Sequence, residues 1–219
     1  MRCRFELNGL TPLIIHADDV EKADELKAYR QDPKNKKSSV NGDDRYPAWT
    51  WQSYLYTDGK DLVLPSEVVS AALRKAGAQL TLKGKSTFKS LTQSGMAFTD
   101  EYCELAGSEG VVSMADVLAI RDLPFNEQAA KAEELGIKLY VKRLPVGQAK
   151  TVRVRPRFDV WRVRGEVETF DDAITHDVLL QLFDLAGRLS GLGDYRPSSP
   201  KCPGPYGTFE TKLAAVKGK

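Results

Sequence analysis

The chain has 219 residues and a net charge of +2, and 42% of its residues are hydrophobic against 28% charged, which is typical of a folded rather than a disordered protein. Its longest apolar runs are far shorter than the roughly 18 residues that cross a bilayer, and no apolar leader follows the N-terminus, so we expect a cytoplasmic protein with no membrane contact. Three widely spaced cysteines and two histidines predict reduced thiols, no metal site and no cofactor.

Residues 2–15 open the chain with alternating apolar and polar side chains, which predicts a β-strand. The next segment, residues 17–59, has no sustained period; it is polar in its middle and then aromatic, with two of the three tryptophans, Trp49 and Trp51. We interpret it as a long insertion. Two roles remain open for Trp49: an anchor that holds the returning segment on the core, or a ring that stacks on a nucleobase.

A clear helix signal follows at residues 66–77, where Pro65 and Ser66 precede an apolar face that ends at Gly77. Residues 107–136 are interpreted as a second insertion. Residues 80–92, which follow the helix, are predicted to form a loop or a poorly packed helix. The patterns predict strands at residues 96–105 and 117–121 and a short helix at residues 126–136.

Residues 139–161 give the clearest two-stranded pattern, with a turn at Pro145 and Gly147. In the second strand, apolar residues alternate with Arg153, Arg155 and Arg157. We expect the three guanidinium groups to share one face and to point outward, because burying them without partners would cost several kcal/mol each. On that interpretation, replacing all three with alanine would leave the fold intact.

Basic residues are concentrated along the chain although the net charge is small. The stretch 142–164 holds eight basic residues and one acidic residue, a net charge of +7 in 23 residues. A second cluster contains no acidic residue; its members are Arg74, Lys75, Lys83, Lys85 and Lys89. Such segregation predicts a surface that binds a polyanion, and the alternative is a set of solvated strand side chains.

A last helix is predicted over 175–190, capped by Thr175, and a glycine-containing segment follows it. This segment begins Gly191-Leu192-Gly193-Asp194-Tyr195-Arg196 and continues through Gly204-Pro205-Tyr206-Gly207. Glycine lets the backbone adopt a positive φ and approach a partner closely. On its own, such a segment also fits a simple helix end followed by a turn.

Three segments together resemble the RAMP superfamily, the RRM-like RNA-binding proteins that form the backbone of CRISPR effector complexes. They are the first strand with its Gly9-Leu10-Thr11-Pro12-Leu13 turn, the helix entry at 64–74, and the basic glycine-containing loop at 191–209. The loop departs from the family because residues 194–203 separate its glycines, and the helix entry lacks the usual glycine after the serine.

The resemblance implies an α+β chain: a ferredoxin-like or RRM-like antiparallel sheet with two helices on one face, here in one domain, residues 1–219, with insertions at about 17–59 and 107–136. It implies a non-catalytic protein that binds single-stranded RNA and oligomerises along it, with or without other ribonucleoprotein subunits, in a CRISPR-effector-like, phage or antiviral defence complex. The expected contacts are Arg153, Arg155, Arg157, Arg74, Lys75, Lys83, Lys85, Trp49, Gly191, Gly193, Tyr195 and Arg196.

Three alternatives stay open at this point. Phosphate contacts and stacking barely distinguish RNA from single-stranded DNA, and a structural phage assembly protein would also oligomerise. Some relatives cut RNA with an acidic residue and a divalent metal; the residues of this chain in the equivalent region are His16, Asp18, Asp19, Asp43 and Asp44. The sequence contains no nucleotide-hydrolysis, serine-hydrolase or zinc-hydrolase motif.

Overall fold

The computed structural model describes residues 1–36, 40, 42–146 and 149–216. Its contacts group into two compact units. The first comprises Met1–Leu13, Val63–Ala106 and the chain from Val160 onward, and the second comprises Ile14–Leu62 and Gly107–Asp159. Both predicted insertions fall in the second unit. The single-domain interpretation stays a prediction.

In chain order, the strands are β1 (Arg2–Gly9), β2 (Leu13–Ile14), β3 (Val63–Pro65), β4 (Thr81–Lys83), β5 (Ser86–Thr87), β6 (Met96–Phe98), β7 (Tyr102–Gly107), β8 (Gly110–Val111), β9 (Lys138–Val146), β10 (Ala149–Phe158), β11 (Arg162–Thr169) and β12 (Phe209–Ala215). The helices are α1 (Val20–Gln31), α2 (Ser66–Gly77), α3 (Leu91–Ser94), α4 (Met114–Ala119), α5 (Phe125–Glu134) and α6 (His176–Leu185). Short 3₁₀ turns cover Pro33–Asn35 and Ala48–Tyr54, and a π turn, Ala186–Ser190, extends α6.

The first unit is an antiparallel sheet with helices packed against it. Its strands follow the order β12-β1-β11-β7-β3, with β6 also paired to β11. The alternation in β1 buries Cys3, Phe5 and Leu7, and the Phe5 ring lies 5.2 Å from the ring of Phe183 in α6. Helix α2 packs against α6. The chain is therefore α+β with a mostly antiparallel sheet, as the sequence predicted at that level.

The other side of β1 is exposed and covered by ion pairs. They are Arg2–Glu166, Arg4–Glu166, Arg164–Glu6 and Lys212–Glu6. Cross-strand neighbours of opposite charge stabilise a sheet modestly. The same face also carries Arg162, Glu104, Glu168 and Glu210, which are in register with these residues or with Asn8. Five basic and five acidic residues thus share this face, which is therefore close to charge balance and is not a strongly basic surface.

The second unit is organised on the β9–β10 hairpin, which pairs in antiparallel register from Lys138 opposite Arg157 onward. Val154 and Phe158 of β10 are buried. The Trp51 indole lies in the core and donates a hydrogen bond to Gln128 Oε1 of α5 at 2.7 Å. The aromatic part of the 17–59 segment is thus folded into this core.

Most predicted elements are confirmed, with small differences in their bounds. Helix α2 has the predicted limits 66–77, and α6 begins after Thr175, whose hydroxyl accepts from the Val178 N–H. The strand predicted at 117–121 is wrong: residues 117–119 belong to α4 and a turn follows. The helix begins after Ser113, whose hydroxyl accepts from the Ala115 N–H. Residues 80–92 form the β4–β5 hairpin and α3. Gly147, predicted to lie in a turn, is outside the described residues.

The three cysteines are all free thiols. Cys3 and Cys103 are buried in the first unit, whereas Cys202 is exposed in the segment that follows α6. Burial raises the pKa of the Cys103 thiol to about 12, with a further rise from the charge of Asp100. Within the described ranges, no helix has the length and apolar character needed to cross a membrane.

Candidate nucleic-acid interface

The arginines of β10 do not all point into solvent, contrary to the expectation from the sequence. Arg155 is only 9% exposed, whereas the side chains of Arg153 and Arg157 are 33% and 25% exposed. The predicted outward orientation is therefore wrong for Arg155. Along the strand itself, Asp159 is the one acidic neighbour of matching parity, so the partner of Arg155 has to come from elsewhere in the chain.

That partner is Asp44, from the long 17–59 segment, with a side chain only 1% exposed. Its Oδ1 accepts from Arg153 Nη1 at 2.9 Å, and its Oδ2 accepts from Arg155 Nη1 at 3.3 Å. Oδ2 also accepts from the Val154 N–H at 3.2 Å and the Tyr54 hydroxyl at 3.3 Å. A buried carboxylate with these donors is well compensated for its loss of water.

Backbone hydrogen bonds position Asp44 beside β10. The Asp44 N–H donates to Val152 O at 3.0 Å, and the Val152 N–H donates to Gly42 O at 2.7 Å. Arg155 is held further by the Tyr54 ring, whose centroid lies 4.1 Å from the guanidinium carbon. Burial, and then the charge of Asp44, raises the pKa of Tyr54. Arg155 is consequently a structural residue of this unit.

Arg153 and Arg157 are partly exposed at the same strand. Arg157 forms an ion pair with Asp159, two residues further along the chain. Because each guanidinium keeps only part of its surface in solvent and already contacts a carboxylate, the two offer a weaker phosphate-binding ridge than three free arginines would.

The first unit brings a second set of predicted residues together at the glycine-containing segment. Lys75 of α2 donates from Nζ to Ser198 O at 3.0 Å and to Ser198 Oγ at 2.9 Å. Burial, and then the positive charge of Arg196, lowers the pKa of Lys75. Arg196 Nη1 donates to Gly193 O at 2.6 Å. Two cationic side chains thus lie near each other at this loop.

The backbone of the loop requires its glycines. Gly191 and Gly193 have φ of +65° and +71°, and Tyr195 also adopts a positive φ of +55°. A Cβ on Gly207 would lie 1.9 Å from Leu192 O, because the Leu192 N–H donates to Gly207 O at 2.9 Å and fastens the two ends of the loop. The glycines therefore serve close backbone packing.

Three other predicted contacts of this unit are solvent-exposed. They are Arg74 at the end of α2 and Lys83 and Lys85 of the β4–β5 hairpin. The hairpin follows α2 in the chain, so the same helix leads from Lys75 to this basic hairpin. These side chains have the accessibility that a phosphate contact requires.

Trp49 is an anchor in this structure, the first of its two open roles. Its side chain is buried, with 7% exposure. The Tyr29 ring meets it edge-on at 5.7 Å, and the Arg121 guanidinium carbon lies 4.2 Å from its centroid. Trp49 therefore lacks a free face large enough to be the principal stacking surface.

Three of the acidic residues considered for metal-dependent cleavage, Asp19, Asp43 and Asp44, have other partners. Asp19 caps α1 by accepting from Glu21 and Lys22 N–H. The Arg45 guanidinium lowers the pKa of Asp43, to which it donates at 2.6 Å, and Asp44 holds the β10 arginines. In the part of the chain that the structure describes, no group of three or more His, Cys, Asp or Glu side chains is arranged to hold a metal ion.

Neither the models of known protein families nor the sequences of curated proteins give a match to this chain. The residues themselves therefore carry the functional argument. Sequence reasoning missed Asp44 as the partner of β10 and Ser198 as the partner of Lys75, which lie 109 and 123 positions away from Arg153 and Lys75. No local pattern marks either contact.

Proposed function

We propose that this chain is a non-catalytic protein that binds single-stranded RNA, and that it acts as a repeating subunit of a ribonucleoprotein resembling the CRISPR effectors. The observation that carries the proposal is the pair of cations, Lys75 and Arg196, held at a glycine-shaped loop. A hydrogen bond to Ser198 fixes the ammonium group of Lys75. A hydrogen bond to the Gly193 carbonyl fixes the guanidinium group of Arg196.

A phosphate suits this arrangement for an electrostatic reason. Two positive charges held near each other repel, and the lowered pKa of Lys75 reflects partial desolvation first and then this repulsion from Arg196. An anion placed beside both would relieve the repulsion and favour the charged form of Lys75. Lys83 and Lys85 on the exposed hairpin would continue the contact along the backbone of a strand.

The fold that we propose for the first unit is the ferredoxin-like arrangement. Taking β1, β7, β11 and β12 as its four strands, the chain runs strand, helix, strand, strand, helix, strand, with α2 and α6 as the helices. That order is typical of the ferredoxin-like motif. The contact between α2 and α6 supports it as well.

In the second unit, Arg153 and Arg157 are the candidates that remain for phosphate contacts. Both keep part of their side chains in solvent. Arg155 is excluded from this role by its burial against Tyr54 and Asp44.

The test uses fluorescence anisotropy with a labelled single-stranded oligoribonucleotide. Lys75→Ala and Arg196→Ala should each weaken binding about tenfold and flatten the dependence of log affinity on log salt by about 0.7 for each phosphate that the variant no longer neutralises. Lys60→Ala is the matched control, because Lys60 is an exposed lysine of the second unit. Affinity and salt slope equal to wild type in both folded variants would exclude this loop.

The nucleic acid is identified by extracting what copurifies with the protein. Loss of the bound material on RNase treatment and its persistence with DNase support RNA, and the reverse result assigns the protein to single-stranded DNA. A chain that purifies free of nucleic acid, binds no oligonucleotide and still assembles would be a structural assembly protein instead.

A further inference from the structure

A cavity of about 590 Å³ in the second unit has no role in the interface described above. Its volume lies in the range typical of small-molecule sites. Aromatic rings supply much of its wall, and two arginines complete it. The residues that carry the argument are Tyr29, Tyr46, Trp49, Phe125, Arg45 and Arg121.

Hydrogen bonds from Gln128 fix the backbone of two residues in the cavity wall, Arg121 and Leu123. The amide of Gln128, which is completely buried, donates to the carbonyls of Arg121 and Leu123 at 2.7 and 2.8 Å. Its Oε1 accepts from the Trp51 indole. The Tyr29 and Trp49 rings of the wall also contact each other edge-on. The cavity is therefore built from ordered elements of the fold.

Both arginines of the wall are neutralised by carboxylates, and Asp122 adds a further carboxylate to the lining, which indicates the kind of ligand. Arg45 is bound by Asp43 through several hydrogen bonds, and Arg121 is paired with Glu25. Because their charges are already neutralised, the guanidinium groups contribute to the wall mainly through their planar faces. Arg121 lies over the Trp49 ring, and the guanidinium carbon of Arg45 lies 5.8 Å from the centroid of Tyr46. An uncharged, planar, aromatic ligand fits such a wall better than a free phosphate.

We infer that this cavity receives one unstacked nucleobase of the bound strand, stacked on Tyr46, an inference that rests on the proposed function. Tyr46 is the most accessible ring of the wall, with 44% exposure. Asn126 at the rim offers an amide that donates to and accepts from the edge of a base. Binding of this kind tolerates different bases, because every base has a flat aromatic face.

The first experiment compares Tyr46→Ala, Tyr46→Phe and Phe170→Ala in the same anisotropy assay. Removing a stacking ring should weaken RNA binding by at least about fivefold, and phenylalanine should restore it because the ring is kept. Phe170 is an exposed aromatic residue of the other unit, so Phe170→Ala should bind as wild type does. Circular dichroism establishes that each variant is folded.

A second experiment needs no variant. RNA containing 4-thiouridine is crosslinked to the wild-type protein by light, and the tryptic peptides are mapped. We expect crosslinks in the peptides 46–60 and 122–131, which carry Tyr46 and Phe125. Wild-type binding with no crosslink in either peptide, or unchanged affinity of folded Tyr46→Ala, overturns the base pocket and leaves the proposed function standing. Absence of any binding by the wild type overturns the proposed function itself.

Discussion

Asp44 stabilises the second unit because its carboxylate accepts hydrogen bonds from β10 and from Tyr54 of the Ala48–Tyr54 turn. It is nearly inaccessible and accepts from two arginines, a backbone amide and a tyrosine hydroxyl. Removing one member of a buried ion pair leaves the other charge buried without compensation, which costs more than the pair itself contributes. Without Asp44, the charge of Arg155 would stay buried against the Tyr54 ring with no carboxylate to compensate it.

We therefore expect Asp44→Ala to lower the free energy of unfolding by roughly 3–5 kcal/mol, as for other broken buried pairs. Asp159→Ala removes the exposed partner of Arg157 and should cost no more than about 1 kcal/mol. Urea unfolding followed by tryptophan fluorescence measures both. Equal effects of the two substitutions would show that burial of Asp44 contributes nothing.

Glu6 gives the first unit a pH-dependent contribution to stability. A hydrogen bond from Arg164 is the main reason that the pKa of Glu6 falls to about 2, and Asn8 and Lys212 lower it further. In the unfolded chain the carboxyl returns to about 4.3. Because the folded pKa is the lower one, the stabilisation is complete above about pH 4.3 and is lost as the pH falls toward about 2.

The prediction is that Glu6→Gln reduces the slope of unfolding free energy against pH between about pH 2 and 4.3. Glu127→Gln, at an exposed position of α5, removes a carboxylate without this partner set and serves as the control. Denaturant unfolding at a series of pH values gives the slope. A Glu6→Gln protein with the wild-type slope would contradict the assignment.

Among the elements, the loop after α6 depends on its glycine backbone most directly at Gly207. A methyl group there would collide with Leu192 O at 1.9 Å, and the φ of +70° disfavours any side chain. Gly84, in the β4–β5 hairpin, has a similar φ of +59° but open space around its Cα. Substitution of Gly84 therefore measures the free-energy cost of the left-handed backbone alone, whereas substitution of Gly207 adds the cost of the steric collision.

We expect Gly84→Ala to destabilise by about 1–2 kcal/mol, the usual cost of a left-handed conformation. Gly207→Ala should cost clearly more, because the loop closure between Leu192 and Gly207 must also open. Thermal unfolding by circular dichroism compares them. If Gly207→Ala were no worse than Gly84→Ala, the loop would be able to shift without loss.

The elements also show what the sequence reveals and what it conceals. Helix α2 was predictable to the residue because its apolar face repeats with a helical period between Pro65 and Gly77. The alternation in β1 and β10 likewise marked the strands. Helix α4 was missed because its apolar run is short, and short runs do not distinguish helix from strand.

The candidate site was predicted in part for a similar reason. Composition identified the basic residues and the glycines, which are local features. The partners that orient them, Asp44 for β10 and Ser198 for Lys75, come from distant segments. Segment 17–59 shows no period, so nothing in it distinguished Asp44 from its solvated neighbours. Tertiary contacts of this kind require the folded chain.

For the whole molecule, the most basic stretch of the sequence does not form one surface element. Residues 142–159 belong to the second unit and residues 160–164 to the first. Arg164, counted in that stretch, is paired with Glu6. A charge count along the chain therefore overstates the basic surface that any one element presents.

The subunit-repeat part of the proposal concerns the assembled state. Helix α1 has no buried residue, and Val20 at its start is largely exposed, so the 17–59 segment carries an accessible helical surface. We expect light scattering with RNA present to give masses that are multiples of the 24.3 kDa chain with its share of RNA. A monomeric mass both with and without RNA would remove the repeat model.

The position of Cys202 has a practical consequence for all of these measurements. It is the one exposed thiol among the three cysteines, and it lies in the same loop as Tyr195 and Arg196. Cys3 and Cys103 are protected by burial. A maleimide fluorophore or a nitroxide spin label would therefore attach to the wild-type chain at a single place, in the loop that carries Arg196. The unaltered protein thus provides its own reporter of strand binding at that loop.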